Sequence, residues 1–271
     1  MTTDRFDPSE LRARFRELHS GGLFVMPNAW DVASARVMAA AGLDAVATTS
    51  SGFAATLGRD DYEIVADELL EHAALLARSA GVPLNVDSER CFGSGPAEVA
   101  DFVSALGYTG AAGCSIEDYD PSTERIDDTD SAAERVAAAA EATKRHGMLL
   151  TARAERHLYE PEAPIDDTLT RLQRFADAGA DVLYAPGLSD PDDFAAVCAL
   201  GLPVNALVSP ATPAVGDLAD LGVRRVSTGG ALLRVALGEV KRAVEELNGP
   251  GTLDYMNRSL GGAEFAHILL D

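Results

Sequence analysis

The chain has 271 residues, of which 47% are apolar and 24% charged, so it can bury a large core in one or two compact domains. No segment approaches the roughly 20 continuous apolar residues that cross a bilayer, and the acidic start has no signal-peptide pattern, so we expect a cytoplasmic protein. The formal net charge of −21 repels phosphate backbones and anionic lipids, which argues against nucleic-acid and membrane partners.

Eight apolar segments bounded by turn residues alternate with helix-length segments of 3.6-residue periodicity. The predicted strands are 22–28, 44–50, 82–87, 110–117, 148–155, 181–186, 202–207 and 224–229. The predicted helices include 31–42, 62–81, 131–147 and 166–180. Eight βα units favour a (β/α)8 TIM barrel over an open doubly wound sheet, whose usual G-x-G-x-x-G turn is missing after the first strand.

A long helix follows the eighth strand, and the residues after it show no βα pattern. We therefore predict a barrel domain over 1–248 with an extra C-terminal helix. The tail over 249–271 is expected to pack on the barrel or on a neighbouring subunit.

The carboxyl ends of the predicted strands, where TIM barrels build their active sites, are strongly polar. They carry Asn28, Ser50, Ser51, Gly52, Asn85, Asp87, Glu117, Asp118, Arg153, Glu155, Pro186, Asn205, Ser227 and Thr228. An ordinary role in capping the turn after a strand would explain any one of these side chains, but it does not explain polar residues at the ends of nearly all of these strands.

Asp87 and Glu117 end adjacent predicted strands, where two carboxylates repel each other unless a cation or a proton lies between them. Oxygen ligands without nearby His or Cys favour a hard ion such as Mg²⁺, which keeps several waters. Asp60 or Asp61, in the loop after the second strand, is placed to reach those waters. The sequence therefore predicts a magnesium site.

Arg153 ends the fifth strand, with Glu155 two residues later. Its guanidinium suits a substrate carboxylate, and the alternative is a buried ion pair with Glu155 or Glu117. Two Gly-containing turns are candidate anion sites: the Ser-Ser-Gly turn at 50–52 and the Ser-Thr-Gly-Gly turn at 227–230, which precedes a helix. Two glycines also fit a plain tight turn.

Nucleophilic catalysis has little support in this sequence. Lys144 and Lys241 are the only lysines, and both lie away from the strand ends, so a Schiff-base mechanism has no nucleophile. The three cysteines have unrelated spacings, which favours buried free thiols. None of the five histidines stands in a triad context, and only His157 lies just beyond a strand end.

Five segments resemble, in order and spacing, the isocitrate lyase and phosphoenolpyruvate mutase superfamily. They are "MPNAWDVASARVMAAAGLDAVATTSSGFAATLGRDD", "VPLNVDSERCFG", "GAAGCSIEDYD", "LLTARAE" and "GADVLYAP". The resemblance implies a Mg²⁺-dependent barrel, with Mn²⁺ as the alternative ion. Such enzymes make or break C–C, C–P or P–O bonds in 2-oxo acids and related carboxylates through enolates. The resemblance also implies a homodimer or a homotetramer built as a dimer of dimers, with the last helix exchanged between subunits.

By position, the resemblance also implies roles for individual residues. The metal ligands would be Asp87, which binds directly, and Asn85 and Glu117, which act with Asp61 through waters of the ion. The substrate-binding residues would be Ser51, Gly52, Phe53, Arg153 and Asn205. The catalytic residues would be Arg153, Glu117 and Asp61.

Two departures from the family pattern narrow the function. Asn85 stands where many members have Asp, and the loop after "SIED" has none of the Lys, Cys and His of isocitrate- and methylisocitrate-type lyases, nor the Lys and Asn of the mutases. Decarboxylation needs fewer catalytic side chains from that loop, because CO₂ leaves without the help of a base. We therefore predict a lyase or decarboxylase acting on a small 2-oxo dicarboxylate such as oxaloacetate.

Three alternatives stay open. The first is a C–C lyase on a 2-hydroxy tricarboxylate, with Tyr119, Glu124 or His157 as the proton donor. The second is phosphoenolpyruvate mutase or phosphonopyruvate hydrolase activity, and the third is a 2-oxo acid binding protein that has lost catalysis.

Overall fold

Parallel strands close into a barrel in the computed structural model, which describes residues 6–270. Residues 1–5 of the predicted barrel domain and Asp271 of the predicted tail lie outside the described residues. The strands are β1 (Phe24–Met26), β2 (Asn28–Ala29), β3 (Val46–Thr48), β4 (Leu84–Val86), β5 (Gly113–Glu117), β6 (Tyr119–Asp120), β7 (Arg125–Ile126), β8 (Leu149–Arg153), β9 (Val182–Tyr184), β10 (Val204–Leu207) and β11 (Arg225–Ser227).

The barrel closes through Pro27, which divides one strand into β1 and β2. The sheet order is β1-β11-β10-β9-β8-β5-β4-β3-β2, and every pairing in it is parallel. Because β1 and β2 are neighbours in the chain, the two ends of the sheet are halves of one barrel strand. Pro27 has no N–H to donate, while its carbonyl accepts from the Ala47 amide at 2.8 Å. The predicted (β/α)8 TIM barrel is confirmed.

Helices cover the outside of the barrel. They are α1 (Pro8–Ser20), α2 (Val32–Ala40), α3 (Ser50–Thr56), α4 (Ala66–Ser79), α5 (Pro96–Gly107), α6 (Thr129–His146), α7 (Arg156–Tyr159), α8 (Ile165–Asp177), α9 (Pro191–Cys198), α10 (Val215–Asp220), α11 (Ala231–Asn248) and α12 (Gly262–Leu270), with a 3-10 helix at Asp254–Arg258. All four helices predicted above are present: α2 and α4 are shorter than predicted at both ends, whereas α6 and α8 begin one or two residues earlier and end one to three residues earlier. No helix within 6–270 is long and apolar enough to cross a membrane.

The Ser-Ser-Gly turn predicted at 50–52 is instead the first turn of α3, and the loop that carries Asp60 and Asp61 begins only after Thr56. Thr49 caps this helix by accepting from the Gly52 amide at 3.2 Å, which also ends the strand at Thr48. The next helix begins at Ala66 and not at residue 62, because Tyr62 has a left-handed backbone (φ 66°) that a helix cannot contain. Both differences lie beside the candidate site.

The amino-terminal end of the barrel is filled by its own apolar cluster. Phe15 of α1 is fully buried there among Phe24, Met26 and Leu149. Arg12, one turn earlier, donates to the carbonyls of Ala111 and Gly107, where the chain approaches β5. Helix α1 therefore closes this end of the barrel, which leaves the opposite end for a cavity.

The C-terminal helices extend away from the barrel core. Leu233 is the only buried residue that α11 contributes, whereas α12 contacts α2 and its Leu269 carbonyl accepts from Arg36. The hairpin of β6 and β7 forms a second, two-stranded sheet. It occupies the acidic loop after "SIED", for which the sequence indicated no element.

Candidate active site

A cavity of about 540 Å³ opens at the carboxyl ends of the barrel strands, where such folds build active sites. Most of the predicted site residues line it, namely Ser51, Asp61, Asn85, Asp87, Glu117, Arg153 and Asn205. Gly52 and Phe53 do not line it. The Phe53 ring stacks on His72 at 3.9 Å, and the Gly52 amide is used by the Thr49 cap.

Asp87 is held from both sides, by the start of α3 and by β5. Its Oδ2 accepts from the amide and the hydroxyl of Ser50 at 3.1 and 3.2 Å, and its Oδ1 accepts from Ser115 Oγ at 3.3 Å. Its own amide donates to Thr48 Oγ1 at 2.8 Å. These contacts tie Asp87, which directly follows β4, to β3, to β5 and to the first residue of α3, so its position is set by regular elements of the barrel.

Arg153 contacts three carboxylates at once. Its Nη1 lies 2.7 Å from Asp87 Oδ1 and 3.3 Å from Glu117 Oε2, and its Nε lies 2.7 Å from Glu155 Oε1. Burial opposes the charged guanidinium, but these three carboxylates outweigh it and raise the pKa of Arg153. The buried ion pair considered for Arg153 is therefore present, and its role as a clamp for a substrate carboxylate stays a prediction.

Glu117 ends β5 inside this charged cluster. Burial raises the pKa of its carboxyl well above the usual range, and the charges of Glu155 and Asp87 act in the same direction while Arg153 opposes them. Tyr62 donates to Glu117 Oε1 at 2.7 Å, and Tyr159 lies 3.1 Å from the same hydroxyl. Burial first, and then the Glu117 charge, raises the pKa of Tyr62, so this phenol stays protonated at neutral pH.

Two buried oxygens flank Asp87 without a hydrogen-bond partner among residues 6–270: Asn85 Oδ1 and Glu89 Oε1. Burial first, and then the charges of Asp87 and Asp61, raises the pKa of Glu89 to about 8. A buried oxygen without a partner is costly, and a hard cation with its waters would satisfy such atoms.

The described residues contain no group of three or more His, Cys, Asp or Glu side chains that could hold a metal by themselves. Mg²⁺ does not need such a cage, because it is usually bound by one or two carboxylates and keeps several waters. Asp87, Glu117 and the free oxygen of Asn85 therefore fit this ion.

Asn205 lies deeper in the barrel and is tied to Arg225. Its Oδ1 accepts from Arg225 Nε at 2.8 Å, and its amide donates to Ser227 Oγ at 2.9 Å. Arg225 also contacts His19 Nε2 and donates to Thr151 Oγ1. Burial lowers the pKa of Arg225 to about 9. No local sequence pattern indicates this internal arginine network.

The predicted anion-binding turn at 227–230 has two of its amides already in use. Asn28 Oδ1 accepts from the amides of Thr228 and Gly229, both at 2.9 Å, and the Asn28 amide donates to Thr228 Oγ1 at 3.0 Å. Asn28 and this turn therefore join β2 to the end of β11. A phosphate cradle built on these two amides is wrong for this structure.

Residues 15–248 match the phosphoenolpyruvate phosphomutase family. The chain belongs to this family. The resemblance to the isocitrate lyase and phosphoenolpyruvate mutase superfamily is thereby confirmed, and the protein is an enzyme of this superfamily.

Members of the family with assigned activities include lyases and decarboxylases. The chain is 29% identical to "Probable 2-methylisocitrate lyase 2" of Corynebacterium glutamicum, covering 93% of this chain and 85% of that protein. It is 28% identical to an oxaloacetate decarboxylase of Ectopseudomonas mendocina, covering 95% and 90%. A crystal structure from Burkholderia cenocepacia, provisionally assigned as a lyase or mutase, superposes with a TM-score of 0.90 at 40% identity, covering 96% of each chain.

This family member carries tyrosines around the mouth of its cavity. Tyr62 and Tyr159 line the cavity, and Tyr119, at the base of the β6–β7 hairpin, stacks on Tyr159 at 3.9 Å. The proton donors considered from the sequence, Tyr119, Glu124 and His157, do not line it. Tyr62 and Tyr159 were missed because they lie 97 positions apart, outside the strand ends.

Proposed function

We propose that this enzyme is a Mg²⁺-dependent lyase or decarboxylase of a small 2-oxo dicarboxylate, such as oxaloacetate, that works through an enolate. The observation that carries the proposal is the buried cluster of Asp87, Glu117 and Arg153 at the ends of three neighbouring strands. Two carboxylates and a guanidinium in one cavity can hold both a divalent ion and a substrate carboxylate. The similarity to an oxaloacetate decarboxylase supports the same substrate class.

Asp87, Asn85 and Glu117 would hold Mg²⁺, with Mn²⁺ as the alternative ion and Asp61 acting through its waters. The bound ion would act as a Lewis acid that stabilises negative charge on the 2-oxo oxygen. Burial first, and then the charge of Asp87, raises the pKa of Asp61, which suits a carboxyl that can carry a proton beside the site.

The remaining polar groups of the cavity bind and orient the substrate. Arg153 presents its guanidinium to the 2-oxo acid end, Ser51 offers a hydroxyl, and Asn205 limits the depth that the substrate reaches. Gly52 and Phe53 receive no substrate contact in this proposal, because their amides already donate to Thr49. The protonated Tyr62 hydroxyl, 2.7 Å from Glu117, holds a proton at the cavity wall for return to the enolate.

The test is proton NMR of the purified enzyme with oxaloacetate, isocitrate, methylisocitrate and phosphonopyruvate, each with Mg²⁺ and with EDTA, against protein-free controls. We expect Mg²⁺-dependent pyruvate from oxaloacetate. Asp87→Asn should lower this rate by about a thousandfold, because a metal site contributes several kcal/mol. Asp44→Asn removes an exposed carboxylate and serves as the control. Equal turnover by Asp87→Asn and wild type would refute the proposal.

A C–C lyase on a 2-hydroxy tricarboxylate is the second candidate, favoured by the similarity to the 2-methylisocitrate lyase homologue. The position of Tyr119, Glu124 and His157 outside the cavity counts against it. Release of glyoxylate or pyruvate from the two tricarboxylates in the same NMR series would favour it. Calorimetric binding of oxaloacetate without its consumption would favour a binding protein.

We also propose that the enzyme acts in the cytoplasm as a homo-oligomer, with 1–248 as its catalytic barrel and 249–271 as a tail. Helix α11 supports this assembly, because Leu237, Val240 and Val244 along it are exposed. Monomers seldom leave such a stripe in water, so a second copy of the chain is its expected partner.

A further inference from the structure

Glu89 is a buried glutamate beside the candidate metal site. Its side chain is 7% exposed, and its Oε1 has no hydrogen-bond partner among residues 6–270. The charges of Asp87 and Asp61 repel its charged form, whereas Arg153 attracts that form more weakly. Arg153 is itself paired with three other carboxylates, as described above. A carboxylate buried in this way is costly unless a further cation compensates it.

The backbone holds Glu89 in place against its own conformational preference. Glu89, Cys91 and Phe92 all have left-handed backbone conformations, with φ of 48°, 58° and 51°. Glycine adopts such a conformation without strain, whereas other residues keep it only where surrounding contacts enforce it. Here the Glu117 amide donates to the Glu89 carbonyl at 3.0 Å, and the Cys91 amide donates to the Ser88 carbonyl at 2.7 Å. The loop after β4 therefore keeps a glutamate where a glycine would fit the backbone better.

The positions around Asp87 differ in the charge that they offer to an ion. Asn85 on β4 is a neutral amide, and its Oδ1 is also buried without a partner among residues 6–270. Positions 85 and 87 together therefore carry one negative charge, whereas positions 87 and 89 carry two. A bound divalent ion with its waters would satisfy both orphaned oxygens and compensate the charge of Glu89.

The location of Glu89 favours an indirect contact with such an ion. Asp61 and Asp87 line the cavity, whereas Glu89 does not. Within the described residues, no three acidic side chains converge closely enough to hold a metal by themselves. Mg²⁺ keeps several of its waters when it binds to proteins, and outer groups hold these waters and the inner ligands in position. A carboxylate behind the cavity wall can therefore act through one of these waters.

We propose that Glu89 is a positioning residue for Mg²⁺, and that it supplies through a water the negative charge that Asn85 does not carry. The inference rests on the proposed function only in taking Mg²⁺ as the ion at Asp87. The second carboxylate of the site thus lies in the loop after β4 and not on the strand itself. Glu89 stabilises the bound ion and does not contact the substrate.

The test is an exchange of charge between positions 85 and 89. Mg²⁺ is titrated calorimetrically into metal-free wild type, Glu89→Gln and the double variant Asn85→Asp/Glu89→Gln, with Mn²⁺ as a second probe. Glu89→Gln keeps the shape of the side chain and removes only its charge. Glu134→Gln removes an exposed carboxylate from α6 and is the matched control. Urea unfolding of each protein in EDTA reports on the stability of the metal-free fold.

We expect Glu89→Gln to weaken Mg²⁺ binding about 10- to 100-fold, the usual effect of losing an outer partner of a metal site. The double variant should regain the wild-type affinity, because a carboxylate at position 85 replaces the lost charge. Glu134→Gln should bind Mg²⁺ like wild type. In EDTA, Glu89→Gln should unfold at the same or a higher urea concentration than wild type, because it removes a buried carboxyl without a partner.

Three results would overturn the assignment. The first is an unchanged Mg²⁺ affinity in Glu89→Gln. The second is a lowered affinity that Asn85→Asp does not restore, together with a lower urea midpoint in EDTA, as a purely structural glutamate would give. The third is a wild type that binds neither Mg²⁺ nor Mn²⁺.

Failure of this assignment is distinguishable from failure of the proposed function. Mg²⁺-dependent turnover of oxaloacetate, with normal ion affinity in Glu89→Gln, supports the reaction and rejects the role of Glu89. Conversely, Mg²⁺ binding that depends on Glu89 and is restored by Asn85→Asp supports this role even if no acid in the NMR series is consumed.

Discussion

The Tyr62 hydroxyl donates a hydrogen bond of 2.7 Å to Glu117 Oε1 across the mouth of the barrel. It joins the end of a strand to a loop residue held in a left-handed backbone conformation (φ 66°), which costs about 1 kcal/mol or more for a residue with a side chain. Such strain persists where surrounding contacts enforce it, and here the contacts are to Glu117 and Tyr159. The pair therefore links loop geometry directly to a carboxylate of the candidate metal site.

Tyr62→Phe keeps the ring and removes only the hydroxyl, so it tests this link. Glu117 Oε1 would lose its donor, and we expect kcat to fall about 10- to 100-fold, the value of one hydrogen bond to a charged group. Steady-state kinetics on the substrate identified by NMR measure the effect. Tyr108→Phe, on an 85% exposed tyrosine, is the matched control. An unchanged kcat in Tyr62→Phe would show that the phenol does not serve the reaction.

Asn85 is only 4% exposed, and its Oδ1 has no hydrogen-bond partner among the described residues. A negative charge placed there should therefore strengthen metal binding but destabilise the metal-free protein. Asn85→Asp should tighten Mg²⁺ binding about tenfold by adding a carboxylate beside Asp87. In EDTA the same charge is buried without compensation, which should lower the free energy of unfolding by about 1–3 kcal/mol. Calorimetry and urea unfolding measure the two effects. Weaker Mg²⁺ binding in Asn85→Asp would contradict a metal at this position.

His19 provides a pH-dependent contribution far from the cavity mouth. Its Nδ1 donates to the Phe15 carbonyl at 2.8 Å, and its Nε2 accepts from Arg225 at 3.2 Å, because a guanidinium can only donate. Burial first, and then the charge of Arg225, lowers the pKa of His19 to about 3. The ring is therefore neutral in the folded protein at any pH near neutral.

The folded pKa of His19 is below its unfolded value of about 6.5, so the unfolded chain takes up the proton first as the pH falls. The stabilising contribution is complete above about pH 6.5 and is lost toward pH 3, by at most about 1.4 kcal/mol per pH unit. His19→Gln should have a flatter pH dependence of unfolding free energy between pH 6.5 and 4.5. Urea unfolding measures this, and identical slopes in both proteins would show that His19 titrates normally. His72, whose pKa burial lowers to about 4, contributes equally to both proteins.

The barrel was predictable because each strand is a short apolar run between glycine-rich turns, a pattern that depends on local sequence alone. The grouping of Asp87, Glu117 and Arg153 followed from topology, since parallel strands bring their carboxyl ends together. The roles given to these residues remain predictions.

Short helices and contacts between residues far apart in the chain leave no local sequence pattern from which they could be predicted. Helix α3 is a seven-residue helix with an internal glycine, too short to show periodicity. In the sequence, Arg225 at the start of a strand looks like a solvent-exposed charge. In the structure its side chain is buried inside the barrel, where Asn205, Thr151 and His19 accept its hydrogen bonds.

Helix α11 leads to the last prediction, which concerns assembly. Leu233, Leu237, Val240, Val244 and Leu247 follow one another at spacings of four and three, which places them on one face of the helix. All but Leu233 are exposed, with Val240 and Val244 at 58% and 57%. Each valine that becomes buried in an interface contributes about 1.5 kcal/mol or more, so one charge in this stripe should separate the subunits.

Val240→Glu should therefore convert the oligomer to a monomer in light scattering after size-exclusion chromatography at micromolar concentration. Lys241→Glu, at the adjacent and 73% exposed position, introduces the same side chain off the stripe and should leave the mass unchanged. Because the stripe is already exposed within one chain, we expect Val240→Glu to fold with an unaltered circular dichroism spectrum. A wild-type protein that is monomeric at this concentration, or a Val240→Glu variant that keeps the oligomer mass, would reject α11 as the interface.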